Sequence, residues 1–191
     1  MKTIHKVICS ISILGLFACG GSSPKAGNGP GFPSGMTAKE LFLLVTANLY
    51  VPSALSGDET YNTGTSNCTN GGKAKVIDKK AGNQENSTIT FTNCASTYGS
   101  SNIALKQNGT VDYFLSANDI NNPTHATFFY RHELSYSGDI GFAADCEFTV
   151  QSNEATSSII QHIDGSCTYT DSKGKELSLN GAQMLEVVRA Q

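Results

Sequence analysis

Beyond residue 57, apolar and polar residues alternate along the chain with a period of two. Within each run the apolar residues share one parity: Ile89 and Phe91; Val111, Tyr113, Leu115 and Ala117; Phe128, Tyr130, His132, Leu134 and Tyr136; Phe142, Ala144, Cys146, Phe148 and Val150. Such alternation is typical of antiparallel strands that cover one core with one face. We therefore predict a mainly β fold, an antiparallel meander in the form of a curved sheet, a sandwich or an open barrel.

Turn residues separate these runs at spacings typical of hairpins. The candidate turns are Asn70-Gly71-Gly72, Gly82-Asn83, Tyr98-Gly99, Asn108-Gly109, Asn121-Asn122-Pro123, Ser137-Gly138-Asp139, Asp164-Gly165, Lys173-Gly174 and Asn180-Gly181. Asn108-Gly109 follows Cys94 at nearly the distance at which Asn180-Gly181 follows Cys167, and we predict a strand after each. A duplicated unit and the general need for Asn-Gly in tight turns explain this weak repeat about equally well.

One helix is predicted over residues 38–50, packed on the sheet. Thr37 and Glu40 form a capping box at its start, since each side chain can bond the backbone N–H of the other. Apolar residues then recur at helical spacing, at Leu41, Leu44, Val45 and Leu49. Pro52 ends the run. A membrane-surface helix is the alternative, but basic residues on its polar face are sparse.

The N-terminus has the three parts of a bacterial export signal. Lys2 and Lys6 precede a mainly apolar run from Val7 to Phe17. That run is shorter than the about 20 apolar residues of a membrane-spanning helix, so it fits a cleaved signal peptide better. The segment Leu16-Phe17-Ala18-Cys19-Gly20 resembles the lipobox of bacterial lipoproteins, with leucine three residues before the cysteine and a small residue directly before it.

This resemblance implies that residues 1–18 are removed and that Cys19 receives a diacylglyceryl thioether. Acylation of the new N-terminus, for example with palmitate, usually follows. Several acyl chains anchor a protein stably in the bilayer, where one binds only marginally. Because Gly20 follows the cysteine instead of Asp, the resemblance favours the outer membrane of a Gram-negative envelope. A plain signal peptide with an incidental cysteine is the alternative.

The rest of the chain divides into a tether and one domain. Residues 19–35 comprise the acylated cysteine and a Gly-, Ser- and Pro-rich stretch with too little apolar surface to fold, which predicts a flexible tether. Residues 36–191 have the size of one ordinary domain. Loss of Lys2 and Lys6 would change the net charge from −3 to −5. No dense basic face remains, so we expect no nucleic-acid partner.

Four cysteines remain when Cys9 leaves with the signal and Cys19 is acylated: Cys68, Cys94, Cys146 and Cys167. An even number in an exported chain predicts two disulfides. We favour Cys68–Cys94 and Cys146–Cys167, because each bond would tie neighbouring segments of a local meander. The two other pairings would join the halves of the chain. Zinc is the competing interpretation, but the sequence has neither a C-x-x-C pair nor a cysteine–histidine cluster.

The sequence has no nucleophile elbow, zinc-protease motif, P-loop or dinucleotide loop, so we predict no catalytic residue, metal ligand or cofactor. His132 shares the apolar parity of its strand, which favours a hydrogen-bonded core histidine. The order of cysteines and glycines is similar to that of uncharacterised bacterial lipoproteins with disulfide-containing antiparallel β domains, a likeness that carries no known activity.

Three functions remain open for the domain in the envelope. The first, which we favour, is a non-enzymatic structural, interaction or ligand-binding domain, with another envelope protein or an apolar ligand as its partner. The second is a small hydrolase or metal-dependent enzyme, which requires two of His125, His132 and His162 to meet with a carboxylate. The third is binding of an apolar ligand inside the sheet, which requires an unfilled apolar cavity.

The lipobox assignment predicts the outcome of Cys19→Ser. Serine cannot form the thioether, so the variant should take up no radiolabelled palmitate and should be found unprocessed or soluble. Labelling in membranes, followed by gel analysis, measures both effects. Incorporation of labelled lipid at wild-type level in this variant would overturn the assignment.

Overall fold

The computed structural model describes residues 24–46, 61–98, 103–117, 125–153 and 159–190. Within these ranges, eight strands form one antiparallel sheet in which each strand pairs with the next along the chain. The strands are β1 (Tyr61–Asn67), β2 (Lys73–Ala81), β3 (Gln84–Tyr98), β4 (Ile103–Ala117), β5 (His125–Gly138), β6 (Phe142–Asn153), β7 (Ile159–Asp171) and β8 (Glu176–Asn180). Two helices, α1 (Ala38–Thr46) and α2 (Gly181–Arg189), accompany them. The sheet is not closed, and the predicted mainly β meander is confirmed.

The strand register places the apolar rows of β2 to β8 on one face, which we call the inner face. One row crosses the sheet through paired, buried residues: Val76, Ile89, Val111, His132, Cys146, Cys167 and Leu179. The parities predicted from the period-two pattern are therefore those of the structure. Burial of this one face supplies the main apolar stabilisation of the domain.

Both helices pack on the inner face beside β7 and β8. The capping box of α1 is confirmed: the Thr37 N–H donates to Glu40 Oε2 over 2.8 Å, and the Glu40 N–H donates to Thr37 Oγ1 over 3.3 Å. Leu41 and Val45 of α1 are buried, which is consistent with the predicted apolar stripe of the helix. The end predicted for this helix, residues 47–50, lies outside the described residues. No helix in the described ranges has the length and apolar character needed to cross a membrane.

Helix α2 was not predicted, and the strand expected after Asn180-Gly181 is wrong. Asn180 is the N-cap of α2: its side chain accepts from the Gln183 N–H, and Gln183 Oε1 accepts from the Asn180 N–H, both over 3.0 Å. This reciprocal pair stabilises a helix start instead of a hairpin turn. Met184 and Val187 then recur at helical spacing and are buried.

Two other predicted turns, Asn108-Gly109 and Asp164-Gly165, lie inside strands β4 and β7. Gly109 has φ +121°, and a Cβ there would lie 2.1 Å from the Glu133 carbonyl oxygen. Glycine at this position lets β5 approach β4 closely, which is a strand role and not a turn role. The two units of the weak repeat therefore differ, since one contains a strand glycine and the other begins a helix. The candidate turns at 99 and 121–123 lie outside the described residues.

Both disulfides are present with the pairing expected from the sequence, Cys68–Cys94 and Cys146–Cys167. Cys146 and Cys167 face each other directly across β6 and β7, with Cα atoms 4.0 Å apart. Cys68 lies in the turn between β1 and β2 and is bonded to Cys94 on β3, with Cα atoms 5.4 Å apart. One disulfide therefore stabilises the sheet at β1 to β3, and the other stabilises it at β6 and β7.

The part of the expected tether that the structure describes is bound to the sheet. We call residues 27–32 the strap. The Asn28 and Pro30 carbonyls accept from the Gly138 and Gly141 N–H groups over 3.2 and 2.9 Å. The Phe32 N–H donates to Asp171 Oδ2 over 3.1 Å. A polar, Gly-rich composition predicts flexibility, but here the backbone itself supplies the hydrogen bonds. Ordered structure therefore begins before residue 36.

Gly109→Ala should lower the free energy of unfolding by at least about 3 kcal/mol. The cost of the positive φ for alanine and the cost of the clash with the Glu133 carbonyl are both included in this value. Gly174→Ala is the matched control: its φ is +81°, but a Cβ there meets nothing within 4 Å. It should cost only about 1 kcal/mol. Urea unfolding of both variants gives the comparison. Equal losses would show that β4 and β5 separate easily at Gly109.

Candidate functional site

His132 and His162, the two histidines whose side chains the structure describes, lie on opposite faces of the sheet and do not meet. His132 lies on the inner face, whereas His162 is exposed and pairs in register with the exposed Gln151. His125 begins β5, and its side chain lies outside the described part. Within the described ranges no group of three His, Cys, Asp or Glu residues could hold a metal ion. Cys19 also lies outside the described residues.

His132 is a core residue, as its parity predicts, with an exposed fraction of 0%. Its ring meets Tyr130 and Phe148 edge-on, with centroids 6.0 and 5.7 Å apart. The expected hydrogen bond is not found: among the described residues neither ring nitrogen has a partner. Burial lowers the pKa of His132 to about 4, because the apolar surroundings disfavour the charged imidazolium.

An aromatic cluster lies next to this histidine on the inner face. Tyr113, Tyr130 and Phe148 are paired in register across β4, β5 and β6. The rings of Tyr130 and Phe148 are stacked at 5.2 Å, and those of Tyr113 and Tyr130 are 5.3 Å apart. Phe42 of α1 meets Phe148 edge-on at 6.1 Å. These separations are typical of favourable aromatic pairs.

A groove of about 480 Å³ opens between this cluster and the two helices. Strands β5, β6 and β7 form its floor, and α1 and α2 form its wall. Most of its lining is aliphatic or aromatic, and the lining residues are Phe42, Thr46, Phe128, Tyr130, Phe148, Val150, Ser152, Ile160, Ile163 and Val188. Its volume and composition match those of small-molecule sites, which are concave, mostly apolar and carry few polar groups.

Charged side chains lie on the same inner face as the groove, on β2 and β3, and β4 separates them from the groove floor. Asp78 is only 7% exposed, and Glu85 forms an ion pair with Lys80 at 3.7 Å. Burial raises the pKa of Tyr113, and the charges of Tyr130, Glu85 and Asp78 raise it further. The two carboxylates therefore create a negative potential at the Tyr113 ring, which contacts the groove residue Phe128 at 6.0 Å.

A second, polar cavity of about 720 Å³ lies under residues 24–29, against β6 and β7. Asp145, Asp171 and Glu176 line it. Burial and the charge of Glu133 raise the pKa of Asp145. Burial opposes ionisation of Asp171, but the backbone N–H groups of Lys175, Phe32 and Lys173 hold the pKa of that carboxyl below its usual value. Asp171 thus has a structural role, because it binds the strap and the β7–β8 turn.

Sequence reasoning assigned the aromatic residues of β5 and β6 to a packed core and did not locate the groove. A filled core and an open groove require the same inward parity, so the pattern does not distinguish them. No protein-family model, curated protein or solved structure matches the chain. The interpretation of the groove therefore rests on its own chemistry.

Burial of His132 predicts acid destabilisation between about pH 6.5 and pH 4. The pKa of a histidine in the unfolded chain is about 6.5. As the pH falls through this window, the unfolded state gains a proton that the folded state does not. Stability is therefore lost as the pH falls, by about 3 kcal/mol at pH 4, and this group contributes no pH dependence above about pH 7. Urea unfolding at several pH values measures the loss.

His132→Phe should remove that part of the pH dependence, because phenylalanine keeps a buried ring and does not titrate. The control is His162→Ala, which changes an exposed histidine and should follow the wild type. If His132→Phe loses stability between pH 6.5 and pH 4 as steeply as the wild type, His132 is not the titrating group.

Proposed function

We propose that the protein is a lipid-anchored lipoprotein of the bacterial cell envelope whose β domain binds an apolar ligand without transforming it. The groove of about 480 Å³ carries this proposal, since its lining is mostly aliphatic and aromatic. The Leu16–Cys19 segment supports the anchor. The two disulfides agree with an exported chain, because such bonds persist in oxidising compartments.

Among the described residues, the groove leaves apolar surface uncovered. Burying apolar surface stabilises a fold by about 25 cal/mol per Å², so a surface that stays uncovered forgoes that stabilisation. Concave, mostly apolar sites of this size are typical of ligand binding. A ligand that fills the groove would bury this apolar surface and so recover the missing stabilisation, which favours a binding function.

The non-enzymatic part of the proposal is supported by the placement of the titratable groups. His132 is buried on the inner face outside the lining of the groove, and its imidazole is uncharged at neutral pH, while His162 lies on the opposite face. A general acid or base must reach the reacting atom within hydrogen-bond distance. Neither histidine meets that requirement for a ligand in the groove.

The strap limits how far the sheet can lie from the proposed anchor. The chain between Cys19 and Asn28 reaches at most about 30 Å when extended, so the strap end of the sheet would lie within that distance of the acylated cysteine. Phe142 contacts the strap residue Phe32 at 6.0 Å, whereas Ser152 near the other end of β6 lines the groove. Ten residues of strand span about 33 Å. The groove therefore lies at the end of the sheet farther from the strap.

Binding of the neutral fluorescent probe N-phenyl-1-naphthylamine tests the proposal. The full chain carrying Cys19→Ser, which has no acyl chain of its own, should enhance the probe's fluorescence with saturable binding. Adding Ser152→Phe should weaken binding at least tenfold, because the new ring occupies the groove. Adding Ser166→Phe is the control, since Ser166 is exposed outside the groove.

Absence of saturable enhancement in the parent chain would overturn the proposal. Equal binding by the Ser152→Phe and Ser166→Phe variants would move the site away from the groove. Circular dichroism of each variant verifies that the β fold is retained.

A further inference from the structure

We propose that the ligand is an amphiphile with a cationic, ammonium-type head, bound with its apolar tail in the groove and its head beside Asp78 and Glu85. This inference rests on the proposed function and adds the charge and orientation of the ligand. It is carried by the position of the two carboxylates relative to the aromatic cluster.

The register places the carboxylates and the groove on one continuous surface. Asp78 pairs with Ser87, Ser87 with Tyr113 and Tyr113 with Tyr130, so these residues form one row of the inner face. Glu85 lies in the next row, which continues through Leu115 and Phe128. Neighbouring strands are about 4.8 Å apart, so Asp78 and Tyr130 are separated by about 14 Å. An extended alkyl chain spans that distance.

The electrostatics of this surface favour a cation over an anion. Asp78 lies in the same row as Tyr113 and Glu85 lies in the next row, and within the described strands the opposing charge beside them is that of Lys80. The side chain of Lys80 is 40% exposed, so solvent screens its charge more than it screens Asp78, which is 7% exposed. A carboxylate head placed here would meet two like charges at reduced dielectric, which raises its energy.

The aromatic residues add a second attraction for a cation. The faces of tyrosine and phenylalanine rings attract ammonium groups within about 6 Å. Tyr113 joins the two parts of the surface, since its ring contacts both Tyr130 and Phe128 and its hydroxyl is subject to the carboxylate charges. A head group leaving the apolar groove toward β3 would meet this ring before it meets Glu85.

Displacement of N-phenyl-1-naphthylamine by three C12 amphiphiles, below their micelle concentrations at pH 7.5, tests the inference on the full Cys19→Ser chain. Dodecyltrimethylammonium should displace the probe at least tenfold more effectively than dodecanoate, with dodecyl maltoside between them. Asp78→Asn and Glu85→Gln should each reduce the ratio of cation to anion affinity at least threefold. Lys80→Met should increase that ratio, because it removes the competing cation.

The matched control is Glu147→Gln, which removes one negative charge from an exposed residue of β6 outside the groove. It should leave the ratio unchanged. Because Glu85 is more exposed than Asp78, Glu85→Gln keeps the test decisive if Asp78→Asn fails to fold. Added salt should reduce the preference for the cation in the parent chain.

The outcomes separate the two proposals. Binding of the probe and of all three amphiphiles with equal affinity would overturn the cationic head and leave the groove as an apolar site. Preference for dodecanoate that is lost in Lys80→Met would overturn it in favour of an anionic head held by Lys80. Failure of the probe itself to bind would overturn the proposed function.

Discussion

The structure depends on the need to cover one face of an open sheet. Strands β2 to β8 place their apolar rows on the inner face, and a meander that does not close cannot bury that face against itself. Helices α1 and α2 cover it beside β7 and β8. Within the ranges that the structure describes, the helices leave part of β5 and β6 uncovered, and the groove is the result. Fold and candidate site therefore follow from the same constraint.

The period-two pattern predicted the fold well because parity alone decides which face of a strand is buried. Two-residue turn signals predicted less, because Asn-Gly and Asp-Gly serve several backbone geometries. Gly109 brings two strands together, and Asn180 caps a helix. The signal for that helix was present in Asn180 and Gln183, which form a capping box, and in the spacing of Met184 and Val187.

The candidate site was less predictable than the fold, for a physical reason. The side chains of Phe128, Tyr130 and Phe148 point inward whether or not other atoms fill the space above them. Whether that space is filled depends on how closely α1 and α2 approach β6, which is set by tertiary packing. The disulfide pairing was predictable from the number and spacing of the cysteines. The binding of the strap to the sheet was not predictable, because most of its hydrogen bonds use backbone atoms that any sequence provides.

Rigidity of the groove floor also follows from this arrangement. Cys146 and Cys167 join β6 and β7 directly, one row from the stacked Tyr130 and Phe148. The bond prevents these strands from separating where the floor would otherwise be weakest, since Gly165, opposite Phe148, contributes no side chain to the packing. A floor already fixed before binding loses little conformational entropy when a ligand enters. The disulfide thus stabilises the fold and also keeps the groove preorganised, although its sulfur atoms do not line it.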